Sequence, residues 1–434
     1  MASSIVFPCP QWISRKRDTA GTRPLLLRKN CFRFGLPALK ASSSISFSSS
    51  QELVSPCLML PPSLDGTDLV YNFYRLDKDK VVSFNKRTGY ESSKTELPDD
   101  KAVFVGSSHG WIFCHNMCEE EEAGNLFLSN PITCCHIKLP SPDNSGLGDL
   151  PIHVRNVVIS SSTPDDENCR ALMTYGPGHN LAFCCPNRRS SSWTPIGNKD
   201  GGYCSSVYST RQKLFFCLND DDDGIEAWDL NYLHSPMMIP MNALDSFGLR
   251  HPVAWSSKLR TEREANFYFQ ISKSLVVADK SDDLYLVRRF TAFQTVPRSV
   301  KKMHFLHLGL DNVLPYKTTE FDVYKYDKEA KDWKYMDGCL DGMALFIGIN
   351  HGFALSAHDY PDLKPDAVYF TDIETDYDGI FARNIGGGHD IGIFNYRNKT
   401  LSPCYYPCDY QSIKMVSPPP FWFTPKDDCW LNLN

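Results

Sequence analysis

The sequence predicts an all-β chain: a single β-propeller of about six four-stranded antiparallel blades, preceded by a disordered leader. Three observations predict it. Short runs rich in β-branched and aromatic residues recur along the chain, each bounded by Gly, Asn, Asp or Pro turns. These runs fall into sets that repeat at roughly 45–60 residues, the self-similarity expected of a repeat fold. Helical periodicity is scarce, and its best stretch, Tyr232 to Phe247, is interrupted by Pro236 and Pro240. A four-stranded unit has two apolar faces. Packing such units around an axis buries both and leaves only short edges.

The first fifty residues differ from the rest. They hold eight basic residues (Arg15, Lys16, Arg17, Arg23, Arg28, Lys29, Arg33, Lys40) against one acid, Asp18, and residues 41–50 contain seven serines. An Arg-rich, Ser-rich, acid-poor start is the composition of an organellar transit peptide, and no apolar core of secretory type follows Met1. The spaced arginines favour mitochondrion; the uncharged Met1-Ala2-Ser3-Ser4 keeps chloroplast as the alternative. Residues 51–68 read as a linker, 69–425 as the propeller and 426–434 as a C-terminal tail.

Within the propeller, Leu69–Tyr74 and Val81–Phe84 form the opening strands. Ala102–Val105, Trp111–Cys114, Asn125–Asn130 and His136–Leu139 follow, the third ending in an Asn-Pro turn. The next sets are Arg155–Ile159, Arg170–Tyr175, Asn180–Cys185 and Trp193–Ile196, then Gly202–Tyr208, Lys213–Leu218, Gly224–Leu230 and Met237–Met241. A looser set takes Leu259–Ser272, Leu275–Ala278, Asp283–Phe290 and Phe321–Tyr326. From Phe321 to Pro403 the runs read as sequential antiparallel strands, four to a blade.

The whole chain carries 45 Lys and Arg against 51 Asp and Glu; without the leader the balance is 37 against 50, a net of −13. An acidic body with no basic stripe argues against nucleic acid as a partner. No apolar run reaches membrane-spanning length. The adjacent pairs Cys134-Cys135 and Cys184-Cys185 lie in strand-like runs, where neighbouring side chains face opposite ways; this favours small buried thiols in a reducing compartment over disulfides.

Four stretches invite a chemical reading, and each has a plainer one. Gly106-Ser107-Ser108-His109-Gly110 fits a hydrolase nucleophile elbow, which needs a helix after the turn; Trp111–Cys114 reads as a strand, hence a hairpin. Asn219-Asp220-Asp221-Asp222-Asp223-Gly224 begins like a calcium loop, yet its twelfth position is Leu230 and not an acid. Cys114, His115 and Cys118, with Cys404 and Cys408, lack the two well-spaced pairs of structural zinc. Gly386-Gly387-Gly388-His389-Asp390 precedes a strand, whereas phosphate cradles precede a helix. No catalytic, cofactor-binding or metal-ligating residue is therefore assigned.

Val105–Trp111, Leu126–Thr133, Phe321–Lys325 with Trp333, Ala344–Gly348, Asp359–Pro365, Val368–Asp372 and Pro418–Pro425 together resemble the plant domain of unknown function 295 family, the KIB-type β-propellers. The resemblance covers most of residues 69–425. It implies the propeller fold and supplies no catalytic residues. Many members of that family carry an N-terminal F-box that recruits a ubiquitin ligase, whereas this chain has no helical apolar pattern before Leu69 and is similar to the organelle-targeted subgroup. The expected function is a non-enzymatic, organellar protein-interaction or ligand-binding module, monomeric and without cofactor, its protein partner unknown. The alternatives are an F-box-related ubiquitin-ligase adaptor and a hydrolase using the propeller channel.

Overall fold

The computed structural model describes residues 54–65, 68–85, 102–116, 125–133, 135–140, 154–176, 178–187, 192–197, 201–219, 224–232, 235–241, 267–294, 316–372, 390–405 and 418–425. All lie in the compact unit Glu52–Asn434. They contain strands and turns and no helix.

The strands fall into six groups. The first holds β1 (Cys57–Asp65), β2 (Asp68–Arg75) and β3 (Lys80–Asn85). The second holds β4 (Ala102–Ser108), β5 (Trp111–Asn116), β6 (Asn125–Asn130) and β7 (Cys135–Lys138). The third holds β8 (Val154–Ile159), β9 (Ala171–Tyr175), β10 (Asn180–Cys184) and β11 (Thr194–Ile196). The fourth holds β12 (Tyr203–Ser209), β13 (Leu214–Asn219), β14 (Ile225–Asp229) and β15 (Met237–Pro240). The fifth holds β16 (Phe267–Ala278), β17 (Leu284–Gln294), β18 (Tyr316–Asp327) and β19 (Asp332–Tyr335). The sixth holds β20 (Met343–Ile347), β21 (Phe353–Ser356), β22 (Ala367–Phe370), β23 (Gly392–Asn395) and β24 (Thr400–Pro403). The last strand, β25 (Phe421–Phe423), returns to pair antiparallel with β1, so the first blade is completed from the far end of the chain.

Side-chain alternation explains why six blades close. In β9, Ala171, Met173 and Tyr175 join a core with Phe113 and Leu128 of the second group, while Leu172 joins another with Phe215 and Cys217 of the fourth. A middle strand buried on both faces reads as a continuous apolar run because its two sides serve different cores. The same division gives six apolar clusters, one between each consecutive pair of groups. The cluster of Leu58, Leu60 and Trp422 with Phe346 and Tyr369 joins sixth to first. The leading strands β4, β8, β12 and β16 touch in succession and β25 lies beside β4, which places them around the axis.

Three features depart from the sequence reading. Residues 51–68, expected as a linker, contain β1. Its Leu58 and Leu60 enter one core and Cys57 and Met59 the next, and a register shift between Leu60 and Ser63 lets Pro61-Pro62 pass without breaking the pairing. The runs up to Ser272 and from Leu275 are not two strands: Phe267–Ala278 is one, paired throughout with β17, while residues 259–266 lie outside the described residues.

The third departure concerns Phe321–Pro403, which spans two blades and is not uniformly antiparallel. β18 and β19 close the fifth blade, and β22 runs parallel to β20. The cause is the turn Asn350-His351-Gly352, which folds β21 onto the axial side of β20. β21 also makes a short parallel pairing to β16, Val277 with Phe353 and Ala278 with Ala354, fusing the fifth and sixth blades into one nine-stranded sheet. The leader 1–50 and the tail 426–434 lie outside the described residues.

Candidate functional site

The axis is built by turns that lock onto one another. β4 and β5 are joined through His109 and Gly110, with φ of 52° and 81°; two central residues at positive φ make the tight turn suited to a twisted hairpin. Ser107 Oγ donates to the Trp422 carbonyl at 2.6 Å, and the His351 N–H donates to the Ser107 carbonyl at 2.9 Å. The His109 and His351 rings stack with centroids 4.9 Å apart. Second, sixth and first blades are thus tied at a single point.

Gly106 makes that approach possible. Its φ is +140°, and a Cβ there would sit 2.4 Å from the Ile349 carbonyl oxygen, a backbone atom with no freedom to retreat. Gly106→Ala is expected to cost on the order of 3 kcal/mol through strain and displacement of the turn. Urea denaturation checks it: a midpoint equal to wild type at unchanged slope would show that the turns can move apart freely.

The hairpin also decides the nucleophile-elbow reading. A strand, β5, follows the turn where an elbow needs a helix. Ser108 is buried; its Oγ accepts the Ile159 N–H at 3.3 Å and lies 2.9 Å from His109 Nδ1. These bonds fasten β4 to β8 and hold the turn.

A cavity of about 240 Å³ opens beside this lock, between β8, β12, β16 and the stretch Ile347–Gly352. Arg155 of β8 and Lys273 of β16 line it, as does His179. Polar groups come from Asn156, Thr174, Ser205, Ser272, Ser274 and Asn350, the Asn156 Oδ1 being a buried acceptor with no hydrogen-bond partner, and no Asp or Glu lines it. Ser205 Oγ accepts the Leu275 N–H at 2.9 Å, which leaves its own proton to donate. Thr174 and Ser274 are more than nine-tenths buried, yet their hydroxyls form no hydrogen bond among the described residues. Arg288 pairs directly with Lys273 across β16 and β17, so both side chains share a face. It is 6% exposed, and its Nε and Nη1 have no hydrogen-bond partner. Asp322 of β18 stands directly across from Arg288 on its other side, so the guanidinium shares its face with a lysine and a buried carboxylate.

The remaining sequence candidates do not converge here. Asn219 is committed to the fold: its Nδ2 donates to the Gly201 carbonyl at 3.0 Å and its N–H to the Gly224 carbonyl at 2.8 Å, while residues 220–223 lie outside the described residues. Cys114 and Cys404 are buried in different cores. Burial pushes the Cys114 thiol up to about 12, and Cys217 likewise, so neither presents a thiolate at neutral pH. The His115 side chain, Cys118, Cys408 and the glycines 386–388 lie outside the description. Among the described residues no group of three metal-ligating side chains forms, no cysteine is in a disulfide, and no helix is long and apolar enough to cross a membrane. Sequence reading missed the cavity because its residues come from four blades; the only local signal is Lys273 amid the serines of Ser272-Lys273-Ser274.

Fold and axial architecture define the class as a six-bladed β-propeller. More specifically, the chain matches the KIB1-4 beta-propeller family over residues 74–395, and it belongs to that family. It is also similar to an F-box protein of Arabidopsis thaliana, 36% identical over 77 residues, a match that spans 16% of this chain and only 18% of that relative. Among solved structures it resembles a putative 6-phosphogluconolactonase from Bacteroides uniformis (10% identity, TM-score 0.32, 66% of this chain and 82% of that one). The Cps50 (Swd1) β-propeller domain of Myceliophteria thermophila is similar at 9% identity and TM-score 0.32, over 81% and 87% of the two chains. Neither name carries over to this chain.

Proposed function

We propose that this protein is a non-enzymatic binding propeller of the organelle-targeted subgroup of domain-of-unknown-function-295 proteins, and that it takes its partner or ligand at the axial cavity. The observation that carries the reading is the cavity itself: buried hydroxyls without partners and two cationic side chains, set on strands of a closed ring. Such a site is preorganised for binding, and propellers present it on a broad rim suited to protein contacts. The basic, Ser-rich residues 1–50 support delivery to mitochondria, with chloroplast as the alternative. The protein acts as a monomer and without cofactor in this reading.

The F-box relative favours a second reading, a ubiquitin-ligase substrate adaptor outside organelles. One experiment separates the two. The full chain is expressed in plant cells with a C-terminal fluorescent tag, and its N-terminus is read by mass spectrometry. Mitochondrial signal with residues trimmed from the leader is the expected result. A diffuse or nuclear signal with Met1 or Ala2 retained, together with co-purification of a Skp-type ligase subunit, would replace the first reading with the second.

A further inference from the structure

The fold leaves three polar groups in the cavity wall without partners. Asn156 Oδ1 is a buried acceptor that receives no hydrogen bond. Thr174 and Ser274, 6% and 7% exposed, form no hydrogen bond among the described residues. Asn156 stands directly across from Thr174 on β8 and β9, so the acceptor and the hydroxyl share one face. Buried polar groups left unsatisfied are costly, whereas apolar residues of the same shape in their place cost little. The cations nearby do not set the chemistry. Lys273 has an interaction of its own, and Arg288 faces the buried Asp322 carboxylate directly across the strand pair. What stays open in the wall is a mixture of neutral donors and acceptors.

We propose that the axial cavity binds a small neutral polyhydroxyl molecule, of monosaccharide or cyclitol size, whose hydroxyls donate to Asn156 Oδ1 and exchange hydrogen bonds with Thr174 and Ser274. A hydroxyl donates and accepts at once, so one kind of group answers all three. A fully ionised oxyanion brings no proton for Asn156 Oδ1. Half-buried Arg155 and Ser205, whose oxygen already accepts the Leu275 N–H, offer further donors to ligand oxygens. Ile271, Ile347 and Ile349 line the same space and suit the C–H faces of such a ring. The volume of about 240 Å³ is the space of on the order of eight waters in the liquid. That is room for one ring, and it lies below the usual range for larger ligands. The proposal deepens the binding reading of this site and rests on it, and it is independent of cellular location.

The test is saturation-transfer NMR on the purified full chain with D-glucose, D-ribose and myo-inositol, each supplied alone. Transfer to at least one is expected, and that compound should also raise the melting temperature. Thr174→Val with Ser274→Ala should weaken binding about tenfold, the effect of losing two neutral hydrogen bonds. Without ligand, the same variant should melt at or above the wild-type temperature, because each change removes a buried hydroxyl that the fold does not use. A melt well below wild type would make the hydroxyls structural and overturn the proposal. Asn156→Leu, which keeps the size and removes the acceptor, should weaken binding about fivefold. Lys280→Gln, a surface change at a lysine paired with Asp359, should leave it unaltered. The proposal is overturned if none of the three compounds shows transfer, or if the double variant binds as wild type does. It is equally overturned if inorganic phosphate raises the melting temperature and the three polyols do not. Capture of organellar proteins on wild type and Arg155→Glu separates the two levels. A specific partner lost on charge reversal, with no polyol bound, removes the polyol and keeps the cavity as a binding site. Absence of both removes the binding reading with it.

Discussion

Arg289→Leu is expected to destabilise the protein by about 3–5 kcal/mol, the usual cost of leaving a buried charge network without its counter-ion. The side chain is 2% exposed and completely occupied. Its Nε donates to Thr318 Oγ1 at 2.7 Å, Nη1 to the Thr371 carbonyl at 2.7 Å and Nη2 to Asp390 Oδ2 at 2.6 Å, with Asp372 Oδ1 3.9 Å away. Asp390 Oδ2 also accepts the Thr318 N–H and hydroxyl at 2.9 and 2.7 Å. One guanidinium on β17 thus holds β18, the end of β22 and the approach to β23. Its removal strands two buried carboxylates and a carbonyl together. Arg289→Lys keeps the charge but cannot fork to three acceptors, so an intermediate loss is expected. Urea denaturation of both variants decides it. A leucine variant within 0.5 kcal/mol of wild type would show that the network is replaceable by apolar packing.

That network lies where sequence reading and structure part. Nothing in Arg288-Arg289 tells the eye that one guanidinium forks to three acceptors while the other leaves its Nε and Nη1 without hydrogen-bond partners. Period-two alternation says only that they face opposite sides of β17, and the partners arrive from 29 to 101 residues away. The fold itself was more legible. β-branched and aromatic runs located most strands, because a propeller strand is short, locally bounded by turns and buried on both faces. Errors occurred where local chemistry and global pairing disagreed. Pro61-Pro62 spoke for a linker, yet a register shift absorbs them inside β1. The parallel pairing of β22 with β20 follows from a hairpin folding inward, which no local pattern records.

The candidate site was less legible for a related reason. Motif reading looks for chemistry at short spacing, and it turned to Ser107-Ser108-His109 and the run of aspartates from 220 to 223. In the structure Ser108 and His109 fasten a turn, while the cavity is assembled from single residues such as Arg155, Thr174, Ser205 and Lys273. Each looks ordinary in its own strand. Only ring closure brings them together.

Ring closure is therefore the second large expected effect. Trp422 stands in a three-residue strand, so hydrogen bonding alone is a weak anchor; its indole supplies the rest. The side chain is fully buried, with Phe346 edge-on at 5.2 Å and Tyr369 at 5.7 Å. Its backbone carbonyl takes the Ser107 hydroxyl, and its N–H reaches Asn350 Oδ1 at 3.4 Å. Trp422→Ala removes the largest buried side chain at the seam between sixth and first blades, with an expected loss of about 3–5 kcal/mol. Deleting residues 418–434 should do more. It exposes the edge of β1 and uncovers Leu58, Leu60, Phe346 and Tyr369, surfaces that pair and aggregate when free. The point variant should unfold cooperatively at lower urea, whereas the truncated chain should lose its cooperative transition and elute as aggregate. If the truncated chain instead melts sharply at the wild-type midpoint, the ring does not depend on its terminal strand, and the axial lock around Ser107 and His351 holds the blades without it.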